Sequence, residues 1–182
     1  MTFAVENTGL RKLRKSDAPA ICRWMNDAET VKYLGYGFIK PRTLEDIAEE
    51  IRLQLEGEFT GKAMVIEDRL THRYLGQINL MLPDERAKTA EISIVLISQA
   101  RGHGIALKAL RLFLNKAFNQ WHYRRLYLKC LSGNSDAVKL YEKAGFRREG
   151  TLRQHIQTSE GLMDVILYGL LREEFEEKQQ IE

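Results

Sequence analysis

Cysteine, proline and long apolar runs are scarce in this chain of 182 residues. The two cysteines, Cys22 and Cys130, lie in unrelated segments with no Cys or His at metal-ligand spacing. That excludes the disulfide framework of small secreted domains, and two buried thiols are expected instead. His72, His103, His122 and His155 are scattered, so a zinc site has no support and no metal is expected. Three prolines exclude a collagen-like or proline-rich disordered chain. No apolar stretch approaches the ~20 residues that span a bilayer. The longest, Ile92–Ile97, is broken by Ser93 and is the size of a strand. The first fifteen residues lack the basic-then-apolar order of a secretory signal. A cytoplasmic protein without membrane contact is the expectation.

An excess of one charge is also lacking. The 28 basic and 25 acidic residues leave +3, too even for the basic stripe of a nucleic-acid binder. What is present is 44% hydrophobic and 29% charged residues, an ordinary globular balance. A chain of this length buries roughly 70% of its unfolded surface. One self-supporting domain over residues 1–182 is therefore expected, with a polar tail at 173–182 whose end frays.

The hydrophobic pattern predicts strands at Thr8–Leu13, Lys62–Glu67, Tyr74–Leu82 and Thr89–Leu96. In the third, Ile78, Leu80 and Leu82 share one face and Gln77, Asn79 and Met81 the other; in the fourth, Glu91, Ser93 and Val95 oppose Ile92, Ile94 and Leu96. Ser16 and Asp17 begin a helix running to about Asn26, with Pro19 in its first turn. Thr43 to Asp46 reads as a capping box for a second helix that Gly57 ends. After Gly104 the period changes from two to 3.6, and Leu107, Leu110, Phe113, Leu114, Ala117 and Phe118 form a wide apolar stripe. A strand at Arg125–Leu131, a short helix ending at Gly145 and two strands near Phe146–His155 and Leu162–Leu171 complete a mixed α/β (α+β) pattern.

Gln99-Ala100-Arg101-Gly102-His103-Gly104 stands between a strand and an amphipathic helix. A helix N-terminus offers unpaired N–H groups and a positive dipole end, and glycines let backbone approach an anion closely. On this segment alone, a phosphate site and a plain strand–turn–helix connection are equally good readings. The third glycine of a dinucleotide fingerprint and the Gly-Lys-Ser/Thr of a Walker loop are both missing.

A second segment adds to it: Asn134-x-x-Ala137-x-x-Leu140-Tyr141-x-Lys143-x-Gly145-Phe146. Together with Gln99-x-x-Gly102-x-Gly104 upstream, it resembles the paired acetyl-CoA motifs of the GNAT N-acetyltransferases. Glu149-Gly150-x-Leu152-Arg153, Gly161, Asp164 and Tyr168-Gly169-Leu170-Leu171-Arg172-x-Glu174 resemble the subgroup of ribosomal-protein and spermidine acetyltransferases, as do Leu10-Arg11-Lys12-Leu13, Asp17 and Trp24-Met25-Asn26-Asp27. The resemblance spans about Leu10–Glu174.

The resemblance implies a twisted, mostly antiparallel sheet flanked by helices, whose fourth and fifth strands splay to admit CoA. It implies acetyl-CoA as co-substrate, with a pyrophosphate turn at Arg101, Gly102, His103, Gly104, Ile105 and Ala106 acting mainly through backbone N–H groups. The backbone of Ile94, Val95 and Leu96 would pair with the pantetheine arm as an added strand does. Asn134 would contact that arm; a plain helix N-cap is its other role. Tyr141 would protonate the departing thiolate, a task a phenol of pKa ~10 can perform; its plainer role is ring packing in the core. Glu91 is the candidate base, against a solvated strand residue. Ser93 would position a water.

The implied acceptor is a primary amine on a small molecule or a protein N-terminus, with Tyr33 and Tyr36 in a covering aromatic loop. The acidic residues from Asp27 to Glu50 would attract a cationic amine or simply form a solvated helix face. Neither cysteine lies in a cofactor motif, which favours direct transfer over an acetyl-cysteine intermediate. A homodimer is one implied assembly. The competing readings are a non-catalytic acyl-CoA-sensing module and a nucleotide-phosphate binder, the latter weakened by the missing Lys-Ser/Thr.

Overall fold

The computed structural model of the chain describes residues 3–34, 41–57, 62–158 and 161–181. Its strands are β1 (Thr8–Lys12), β2 (Lys62–Asp68), β3 (Tyr74–Asp84), β4 (Thr89–Leu96), β5 (Arg125–Leu131), β6 (Arg147–Thr158) and β7 (Gly161–Leu171). Its helices are α1 (Ala18–Met25), α2 (Ala28–Val31), α3 (Leu44–Leu55), α4 (Ile105–Asn115), α5 (Ser135–Ala144) and α6 (Arg172–Ile181). Two of the local signals act as read, whereas Asp17 precedes α1 without a cap bond and accepts instead from Arg11 and the Arg14 N–H. Thr43 and Asp46 exchange hydrogen bonds of 3.1 Å across the first turn of α3, and Gly145 closes α5 at φ 105°, a conformation that favours glycine.

The strands form one sheet in the order β1-β2-β3-β4-β5-β7-β6. Every neighbouring pair is antiparallel except β4 and β5. Parallel neighbours require a long crossover, and the segment carrying α4 supplies it. The β4–β5 ladder is short: Thr89 pairs with Arg125, Ala90 with Leu126 and Glu91 with Tyr127, and there it stops. Beyond Glu91, β4 continues along β3 to Leu96, while β5 continues along β7 to Leu131. The two strands diverge, so the sheet opens in its middle.

Two apolar clusters cover the two faces. Ala90, Ile92 and Leu96 join Leu126, Leu128 and Cys130 beneath α4 and α5. On the opposite face Val65 packs with Leu13, Ile21, Trp24, Ile47 and Ile51 of the α1 and α3 side. The polar residues of β3, β4 and β5 fall on this second face, past the reach of that cluster.

One expectation is corrected. Leu82 leaves the core face of its strand: its φ is 45°, it is 70% exposed, and the β3–β4 register breaks between Met81 and Asp84. The polar tail forms α6, because Phe175 is buried and lies 5.1 Å from the ring of Phe118. One aromatic anchor orders a segment whose composition reads as solvated.

Candidate active site

At the open side of β4, the glycine turn leads into α4. Gly102 and Gly104 take φ values of 78° and 75°, so a side chain at either position would be strained. Among the described residues no backbone carbonyl closes the N–H groups of Gly102, His103, Gly104, Ile105 or Ala106. These donors and the helix dipole suit an anion. His103 is exposed. Ile105 is fully buried and fixes the first turn of the helix in the core.

Arg101 does a different job from the one expected. Its N–H is taken by the Ser98 carbonyl at 3.2 Å. Its guanidinium turns back to the Leu96 carbonyl, with Nε and Nη2 both at 3.2 Å, and Nη2 reaches Thr30 Oγ1 at 2.9 Å. Arg101 therefore braces the turn against β4 and α2 instead of facing a phosphate. The Leu96 carbonyl is engaged by the same contact. The Ile94 backbone keeps its open side toward the gap, because β5 has departed, whereas the Val95 carbonyl faces Gly76 of β3, so the expected pairing role does not extend to Val95.

Tyr141 projects from α5 into the core against β5 and β7. Its side chain is buried, with ring centres 5.9 Å from Phe146 and 6.2 Å from Tyr168. Burial holds its phenol well above the usual tyrosine range, and no protein hydrogen bond contributes. Cys130 is next to it on β5, and burial pushes that thiol up to about 11. A thiol kept protonated is a poor nucleophile. Asn134 caps α5, its Oδ1 accepting from the Ala137 N–H at 3.1 Å. The oxygen is spent on the cap and the amide nitrogen is left as a donor.

On the second face, Glu91 is not solvated: it is 9% exposed. Lys129, from β5, donates to its Oε2 at 3.1 Å, spanning the point where the two strands part. Ser93 accepts from Asn79 Nδ2 at 3.3 Å. Tyr33, just past α2, comes within 3.8 Å of the space a Cβ on Gly133 would fill, beside the loop before α5. Its ring also lies 5.4 Å from Lys32 Nζ. Tyr36 lies outside the described residues. Among the described residues no group of three or more His, Cys, Asp and Glu could hold a metal ion.

A family model described as Acetyltransferase (GNAT) domain matches residues 7–147. The chain is a GNAT acetyltransferase. The uncharacterized N-acetyltransferase p20 of Bacillus licheniformis is 27% identical over 176 residues, 96% of this chain and 98% of that one. The spermidine N(1)-acetyltransferase of Vibrio cholerae is 27% identical over 143 residues, 79% of this chain and 80% of that protein. In fold, the crystal structure of a V. cholerae spermidine N-acetyltransferase in complex with CoA and spermine superposes with a TM-score of 0.85 at 23% identity, over 93% of this chain and 98% of that one.

In this GNAT domain Glu91 and Ser93 lie on β4, the glycine turn follows its open end, Asn134 caps α5 beside Gly133, which Tyr33 approaches, and Tyr141 packs in the core against β7. The acidic residues of α3 do not join them. Glu49 and Glu56 pair with Arg52, Glu50 pairs with Arg42, and Asp46 serves the cap. The solvated helix face is their role. Sequence reasoning missed Lys129, Gln77 and Asn79; the alternation that put polar residues opposite Ile78 and Leu80 was the signal that could have found the last two.

Proposed function

We propose that this enzyme transfers an acetyl group from acetyl-CoA directly to a small primary amine. The splay of β4 from β5, with a glycine turn and the start of α4 at its open end, is the observation that supports the reading. Gly102 to Ala106 would hold the pyrophosphate through N–H groups, and the Ile94 backbone would pair with the pantetheine arm. The Asn134 amide nitrogen would donate to that arm. Acetyl-CoA supplies the thioester carbonyl.

Glu91 takes the proton of the acceptor ammonium, directly or through a water that Ser93 holds, and so exposes the amine lone pair. The amine nitrogen bonds to the acetyl carbon as the carbon–sulfur bond breaks, Tyr141 gives its phenolic proton to the sulfur, and the second proton that the nitrogen sheds as it becomes an amide passes through solvent to restore the phenol. The protonated Cys130 beside it argues for direct transfer over an acetyl-cysteine. The likeness to spermidine acetyltransferases supports a small amine as acceptor.

The test is single-turnover acetyl transfer in Tyr141→Phe. The rate should fall on the order of 10²–10⁴-fold, the usual worth of a positioned general acid. KM for acetyl-CoA should stay within a small factor, because the interaction strengthens only as charge develops on sulfur. A near wild-type rate would make the tyrosine a packing residue.

A further inference from the structure

Two independent features of the acceptor face bear on which amine it takes. The first is charge. Glu91 is the buried carboxylate at the gap, and Lys129 already neutralises it. Farther out, Glu149 is held by both guanidinium nitrogens of Arg125, one at 2.6 Å. A polyamine carries several positive charges and needs unpaired carboxylates to bind them. Here Glu91 and Glu149 each have their cation.

The second feature is a one-way chain of hydrogen bonds. Trp24 Nε1–H can only donate, and it donates to the Tyr74 hydroxyl at 2.9 Å. Tyr74, kept protonated by burial, must then donate onward, to Gln77 Oε1 at 3.1 Å. Gln77 Nε2 donates to Asn79 Oδ1 at 3.4 Å, and Asn79 Nδ2 donates to Ser93 Oγ at 3.3 Å. Ser93 has therefore accepted, and its own hydrogen is left to donate. Among the described residues its acceptor is Met81 Sδ at 3.8 Å, a weak acceptor that a ligand oxygen readily displaces. The face thus ends in a donor that wants an oxygen, two residues from the base. A protonated polyamine offers only more donors.

We propose that the acceptor is a primary amine carrying an uncharged oxygen, hydroxyl or carbonyl, near its amino group, read by Ser93, and that Lys129 disfavours polyamines. The inference rests on the transferase reading above and narrows its substrate. Trp24, Tyr74, Gln77 and Asn79 are positioning residues that act through Ser93.

The experiment measures acetylated product from the full chain with acetyl-CoA, setting L-serinamide and glucosamine against spermidine and putrescine. The better oxygen-bearing amine should exceed both polyamines in kcat/KM by on the order of 10²-fold or more, since a site built to bond a substrate oxygen rejects analogues without it. Ser93→Ala should remove most of that advantage while acetyl-CoA affinity holds. Gln77→Leu, which interrupts the chain without touching substrate, should lower the same ratio. Lys129→Glu should raise kcat/KM for spermidine at low salt, a gain that shrinks as salt rises. Spermidine equal to or better than the oxygen-bearing amines in the wild-type protein would overturn the inference and leave the transferase reading intact. Acetyl-CoA binding with no transfer to any of the four amines would overturn both.

Discussion

Burial acts on Tyr141 in the direction its proposed role requires. An ordinary phenol starts to ionise near pH 10, whereas this one is held well above that range by loss of solvation. The acid form therefore persists through the pH range in which the acceptor amine loses its proton. Transfer should rise with pH as the amine loses its proton and should then stay level to at least about pH 10; a pH–rate profile under single-turnover conditions checks this, and a fall below pH 9 would contradict it. The linkage to stability has the same sign. A group whose folded pKa is raised contributes stability below its unfolded value and loses it as pH climbs through the folded one. Cys130, pushed up to about 11, adds to this alkaline loss above about pH 8.5, the ordinary thiol value. The same burial predicts slow iodoacetamide labelling of Cys130 in the native protein at pH 8, compared with the half-buried Cys22. Cys130→Ala should transfer acetyl at close to the wild-type rate, whereas an acetyl-cysteine route would be abolished.

At the scale of single elements, β4 is held on one side only where it matters. From Ile92 onward β3 alone supports it, and Gly76 is the point of closest approach: a Cβ there would lie 2.1 Å from the Val95 carbonyl oxygen. Gly76→Ala should shift the segment that the pantetheine arm is proposed to meet. KM for acetyl-CoA should rise by at least about tenfold, a 1.4 kcal/mol effect, with the acceptor KM less affected; steady-state kinetics in both substrates separate the two. Gly102 makes the opposite case. Nothing surrounds its missing Cβ, so Gly102→Val should fold, at a backbone cost of about 1–2 kcal/mol, and should abolish the rise in Tm that acetyl-CoA gives the wild type. The elements around both glycines are legible from sequence, because the switch from period two to 3.6 at Gly104 is a local signal. The contacts that define the site are not. Arg101 meets Thr30 across 71 residues and Lys129 meets Glu91 across 38. No spacing rule encodes such pairs, since the topology of the sheet creates them. Arg101 shows the consequence: a residue assigned to the phosphate by its motif is a brace by its partners.

For the molecule as a whole, the last helix is the least expected stabilising part. Phe175 carries most of its burial, so Phe175→Ala should cost about 3–5 kcal/mol. For a domain of this size that lowers Tm by on the order of 10 °C, measurable by calorimetry, and transfer should persist below the new midpoint. The short parallel ladder has a broader effect. Three residue pairs join a half-sheet of β1 to β4, contiguous in sequence up to Leu96, to a half-sheet of β5, β7 and β6 built after Arg125. Such a seam lets the halves open separately, each with its own free energy of exposure. Native-state amide hydrogen exchange should resolve two sets of protected amides with different opening energies in the free protein. A substrate wedged between the halves touches both, and its binding should merge the two sets into one. Acetyl-CoA would then be the splint that turns two cooperative units into a single one, and the protein would be most vulnerable to proteolysis across 97–124 between turnovers.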